Sequence, residues 1–198
     1  MTAHTYGWLM AGGGGEAFDR HLFACVVAIA RTDRTQPLAF SLGLSAEALA
    51  ALVGLYFPHA PSLLSGLDPN EDGMKPQTAD EFGLRELLMD YRSQDSIEEE
   101  WLAHILARRT LSQKPLWQEM GLSHRADLGL LMAHHFAPLA ARNQRDMRWK
   151  PFFWRELEIA GGLDCQAETE CPQCRRFNRC FDPELGTSLV LSGPQHAG

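Results

Sequence analysis

Long apolar runs, strand-like alternation and positive charge are all scarce in this 198-residue chain. No apolar stretch approaches the roughly 18 residues that a membrane-crossing helix needs. The longest, Leu22 to Ala30, falls far short, so no membrane association is expected. The opening MTAHTYGWLMAGGGG has no basic segment ahead of an apolar one and does not read as a secretory signal. The expected location is the cytoplasm, where thiols stay reduced and clustered cysteines mean metal or redox chemistry rather than disulfides. Basic residues number 18 against 25 acidic ones, a net charge of −7, which lacks the surplus of a nucleic-acid binder. The run Gly12–Gly15 has no GK[ST] after it, and GxGxxG, HExxH and GxSxG are absent, so the familiar signatures of nucleotide, zinc-protease and hydrolase chemistry are missing.

What the chain has in quantity is helical signal. Phe18, Leu22, Cys25, Val26 and Ile29 fall at helical spacing between Glu16 and Arg31. Ser45 caps a helix over Ala46 to Tyr56, stopped ahead of Pro58. Residues 58–77, with four prolines, read as a long loop. Thr78 with Glu81, and Ser96 with Glu99, form capping boxes that open helices to about Ser93 and about Arg109. Pro115 to Met120 makes one short turn, and Ser123 caps a helix through about His135. Pro138 starts a further short helix. Lys150 to Ala160 forms the last helix, ended by Gly161-Gly162. No β-branched run alternates, and no Asn-Gly or Asp-Gly turn joins two such runs. The expected fold is all-α, one helical domain over residues 16–182 that includes a C-terminal cysteine-rich, cluster-binding loop. Residues 1–15 are expected to be a flexible lead and 183–198 a loose tail.

Four of the five cysteines crowd into CQAETECPQCRRFNRC: Cys165, Cys171, Cys174 and Cys180, spaced C-x5-C-x2-C-x5-C. The C-x2-C core lets two thiolates converge from one turn, and the outer cysteines can approach from other sides. Thiolates select zinc, copper(I) or iron–sulfur clusters. Structural zinc usually pairs two C-x2-C knuckles about 15 to 20 residues apart, and here one knuckle stands alone. Crowded ligands suit a loop wrapped round a bulky iron–sulfur core. Arg175, Arg176 and Arg179 would offset its negative charge, and Phe177 and Phe181 would shield it. Structural zinc, a redox dithiol and paired disulfides stay open on the residues alone. Cys25, on the apolar face of the first helix, reads as a buried, inert thiol.

Ahead of these cysteines lies Met147-Arg148-Trp149-Lys150-Pro151-Phe152-Phe153-Trp154-Arg155. With LWQEMGLSHRADLGLLMAHHFAPLAARN at 116–143 and LGLSAEALAALVGLYFP at 42–58, it resembles the nitrogen-fixation NifQ family over residues 18–182. The family pattern is C-x4-C-x2-C-x5-C, so the chain departs from it by one residue after Cys165. The resemblance implies a molybdenum–iron–sulfur cluster and a molybdenum donor for nitrogenase iron–molybdenum cofactor assembly, rather than a turnover enzyme. It implies recipients in the cofactor scaffold complex and the nitrogenase reductase, with molybdate or another molybdenum source upstream. An iron–sulfur electron carrier and a zinc-stapled helical interaction module are the competing functions.

Within that frame His134 and His135, near the end of a helix, are candidate non-sulfur ligands to a molybdenum corner. His104 and His124 read as surface or satisfied buried groups. The stripe Arg148 to Arg155 reads first as core packing with snorkelling cations, and second as a wall beside the cluster in which Arg148 and Lys150 attract molybdate, an anion. Asp95, Glu98, Glu99 and Glu100 read as a solvated helix start, placed where the helix dipole favours acids.

Overall fold

The computed structural model describes residues 2–33, 35–68, 73–162, 180–181, 183–184 and 186–190. Among these residues all regular structure is helical: α1 (Thr2–Met10), α2 (Ala17–Ala30), α3 (Leu38–Leu42), α4 (Ala46–Tyr56), a 3₁₀ turn (Pro61–Leu64), α5 (Ala79–Asp90), α6 (Ile97–Thr110), α7 (Leu116–Glu119), α8 (Arg125–His135), α9 (Ala137–Ala140) and α10 (Trp149–Ala160). None of the described helices is long and apolar enough to cross a membrane.

The sequence AFDRHLFACVVAIA of α2 buries every residue from Leu22 to Ala30. A helix that is apolar on all sides must be enclosed. One side is covered by α1, whose Leu9 is fully buried and whose Tyr6 and Trp8 pack on the core. The opening residues are therefore a packed helix and not the flexible lead expected from their glycine-rich end. The glycines themselves make a tight turn. Gly13 (φ +125°) and Gly15 (φ +66°) lie in left-handed territory, and a Cβ on Gly15 would sit 2.2 Å from the Tyr56 ring.

Hydroxyl side chains cap three helices, but the box expected of Thr78 and Glu81 is only half made, because the Glu81 carboxylate accepts from Gln77 N and pairs with Arg85 and Arg108. Ser45 Oγ accepts from Ala48 N at 3.0 Å, and Thr78 Oγ1 from Glu81 N at 3.1 Å. Ser96 and Glu99 form the reciprocal box that opens α6. At α8 the boundary falls one residue later than expected, with His124 as the capping residue. The Asp127 carboxylate reaches back there to accept from the backbones of Ser123 (3.1 Å) and His124 (2.9 Å). The stripe of α10 is core: Trp149, Phe152 and Phe153 are buried with ring centroids 5.7–6.1 Å apart.

Glu81 ties α5, α6 and the preceding loop together. Its carboxylate is fully buried, bonded to the Arg85 guanidinium one turn on and to Arg108 Nε at 2.8 Å. Arg108 Nη2 also donates to the carbonyls of Gly73 (2.9 Å) and Lys75 (3.1 Å), so the proline-rich loop is closed by a side chain rather than by a ladder. Its guanidinium carbon lies 4.8 Å from the centre of the Phe40 ring. Glu81→Ala leaves two buried guanidiniums without their anion and should cost about 3–5 kcal/mol. Urea unfolding checks this, and a loss under about 1 kcal/mol would show that water repairs the site.

His104 lies beside this cluster, and burial, helped by Arg85 and Arg108 against Glu81, pushes its pKa down to about 4. An unfolded histidine titrates near 6.5, so between these values the unfolded chain binds more protons. Stability should fall as pH drops from about 6.5 to about 4 and level off below that from this group. His104→Gln should flatten the dependence of the urea midpoint on pH in that window. An unchanged slope would assign the acid sensitivity to other groups.

Candidate metal centre

Of the four clustered cysteines, Cys165, Cys171 and Cys174 lie outside the described residues. Cys180 is half-buried, and its carbonyl accepts the Arg148 N–H at 2.8 Å, at the N-terminus of α10. Cys180 and Phe181 pack against the main core, and the Arg145 guanidinium carbon lies 5.0 Å from the Phe181 ring centre. The end of the cysteine run is thus bonded to the start of α10 and packed against the main core. Beside it, burial raises the pKa of the Glu184 carboxyl, while Arg148, Arg125 and Lys150 pull it down. Lys150 does not point outward. Its ammonium donates to the Ser112 carbonyl at 2.6 Å, and burial lowers its pKa to about 8.

The two adjacent histidines close α8 at its C-terminal end. His135 is 3% exposed, and its Nε2 sits 3.0 Å from Asp19 Oδ1 on α2. His134 is exposed, with its ring perpendicular to that of His135 at 4.6 Å. Phe18 stacks on His135 (centroids 6.2 Å, planes 12° apart) and meets His134 edge-on at 5.4 Å. Asp19 Oδ2 faces the Tyr56 hydroxyl at 3.4 Å, and that hydroxyl also reaches Glu98 Oε1 at 3.0 Å. One ligand atom each from Asp19, His134 and His135 lies within 4.8 Å of the others.

Asp19 was missing from the residues picked out by sequence. The signal was present: Asp19, Leu22, Phe23 and Val26 share one helical stripe, and a carboxylate on an otherwise apolar stripe needs a partner. The acidic run is also less solvated than its composition suggests. Glu99 is fully buried, accepting from the backbones of Ser93 and Gln94, and Glu98 turns to Tyr56. Asp95 stays in solvent against Arg92. His124 is exposed, as expected, and His104 is partly buried in α6.

Cys25 is 1% exposed with both ring nitrogens of His21 at 3.8 Å from its sulfur, and burial pushes its pKa up to about 12. It stays protonated and unreactive at neutral pH. With the other four cysteines changed to alanine, iodoacetamide should label Cys25 at least about a hundredfold more slowly in the folded chain than in urea. Equal rates would mean that the helix opens readily around it.

A family model described as NifQ matches residues 22–182. Protein NifQ of Azotobacter vinelandii is 34% identical over 175 residues, which cover 83% of this chain and 89% of the relative. The Protein NifQ homolog of Sinorhizobium fredii is 35% identical over 183 residues, 89% of this chain and 77% of the relative. Protein NifQ of Rhodobacter capsulatus is 35% identical over 150 residues, 75% of this chain and 79% of the relative. No solved structure matches. The matched span runs from within α2 to just past Cys180, so the helical core and the cysteine segment fall inside one and the same likeness. The chain belongs to the NifQ family.

Proposed function

We propose that this chain carries a molybdenum–iron–sulfur cluster as cargo and supplies molybdenum for assembly of the nitrogenase iron–molybdenum cofactor. The carrying observation is the spacing of Cys165, Cys171, Cys174 and Cys180 inside the span matched by the family. Soft thiolates hold the iron of such a cluster, and three arginines between the last two cysteines offset its charge. The bond of Cys180 to the start of α10 and its packing on the core support a cysteine segment anchored at its end to the helical domain. That division suits a donor, which needs grip from several sulfurs and access from a loop. The recipients in this reading are the cofactor scaffold complex and the nitrogenase reductase, and molybdate is the upstream source. The chain works in the cytoplasm as a donor, with no reaction of its own to turn over.

A molybdenum corner takes an oxygen or nitrogen donor besides sulfide, the part read from the sequence for His134 and His135. Their placement against Asp19 favours an ion of their own. The competing zinc-stapled module and the electron carrier differ in content and in transfer. Protein purified without oxygen should contain molybdenum, iron and acid-labile sulfide, and Cys171→Ala should lose most of all three. Molybdenum should pass to apo recipient proteins. Stoichiometric zinc without iron or sulfide would overturn the proposal, and iron and sulfide without transferable molybdenum would favour the electron carrier.

A further inference from the structure

We propose that Asp19, His134 and His135 bind one divalent first-row transition metal ion of the iron(II)–zinc(II) class, at a site separate from the cysteines. The starting observation is a mismatch. Asp19 Oδ1 and His135 Nε2 are buried and face each other at 3.0 Å, yet neither atom has a hydrogen-bond partner with acceptable alignment. Buried polar atoms in folded proteins are normally satisfied. Two such donor atoms converging without an aligned N–H between them are placed as ligands of one cation would be.

The surroundings supply the rest of a site. His134 brings a third donor from the exposed side, within the 4.8 Å spread of the set. Donors bound at about 2 Å sit roughly 3–4 Å apart, so a small rotation of this solvent-facing side chain closes the triad. Phe18 stacks against the His135 ring and fixes its plane, and the Tyr56 hydroxyl faces the remaining Asp19 oxygen, as second-sphere groups do. The two histidines lie at the C-terminal end of α8, where the helix dipole favours positive charge, and Glu98 adds a carboxylate behind Tyr56. Two imidazoles and one carboxylate with an open face select iron, cobalt, nickel or zinc over magnesium or calcium. The same set repels molybdate, since a buried carboxylate faces the ion and no lysine, arginine or backbone N–H belongs to the triad.

Three protein ligands with a solvent side describe a site with an open coordination position, in contrast to a closed structural one. Such a site gives a cluster carrier a place for a metal ion outside the cluster, but its chemistry does not depend on the cluster reading. Cobalt(II), alone and without oxygen, is the probe. The full chain carrying Cys165→Ala, Cys171→Ala, Cys174→Ala and Cys180→Ala should bind one cobalt ion with d–d bands and no thiolate charge-transfer band, and excess magnesium should not displace it. Adding His134→Ala or Asp19→Asn should each weaken binding at least about tenfold, with the helical circular dichroism unchanged for the exposed His134. In the chain with its cysteines intact, His134→Ala should lower the cobalt stoichiometry by one and leave the thiolate band in place. No cobalt bound by the folded cysteine-less chain, or equal affinity with and without His134 and Asp19, would overturn the site. Failure here with intact molybdenum loading leaves the cluster reading standing, and loss of loading in Cys171→Ala with cobalt still bound separates the two in the other direction.

Discussion

The packing of this protein follows from enclosing α2. From Leu22 to Ala30 the helix has no polar side to leave in water, so neighbours must cover it in every direction. The first helix, α3 and the Gly121 turn each take a share, and a Cβ on Gly121 would meet the Cys25 carbonyl at 2.4 Å. The apolar burial stabilises the domain, and it also determines where polar chemistry survives. A polar group on the buried face of α2 is removed from water and is held against whatever packs there. Cys25 is silenced that way, and Asp19 is driven onto His135.

Two buried carboxylates therefore behave differently. Glu81 is saturated by guanidiniums and serves cohesion between α5, α6 and the loop at 73–75. Asp19 meets a neutral-capable imidazole and a phenol hydroxyl, neither of which is an obligate cation. A carboxylate paired with arginine is committed, whereas one facing imidazoles can accept a metal ion. The contrast separates a structural ion cluster from a candidate coordination site within one small core.

Much of the fold was legible from local chemistry. Ser45, Thr78 and Ser96 set helix starts because a hydroxyl at that position has a backbone N–H to satisfy. The start of α8 was misread by one residue because Asp127 does the capping from inside the helix. The first helix has a glycine-rich exit that resembles slack chain in sequence, and the close approach of Gly13, Gly14 and Gly15 to Leu55 and Tyr56 shows that the turn is tight. Short α3 carries no periodicity of its own and is set by tertiary contact with α2 and α6. His134 and His135 were visible as a pair, but their third partner lies far off in sequence, and pairing across helices leaves no local mark. The cysteine spacing was plain in the sequence, and three of its four sulfurs lie outside the described residues.

The bond from Arg148 N–H to the Cys180 carbonyl joins the start of α10 to the end of the cysteine run. Chain between two pinned points tolerates changes of length cheaply, because closure entropy grows only with the logarithm of the contour. By that scaling a residue gained between Arg148 and Cys180 costs little closure entropy and requires neither footing to move. The aromatic packing of Trp149, Phe152 and Phe153 can therefore persist while the length of the intervening segment varies from one relative to another.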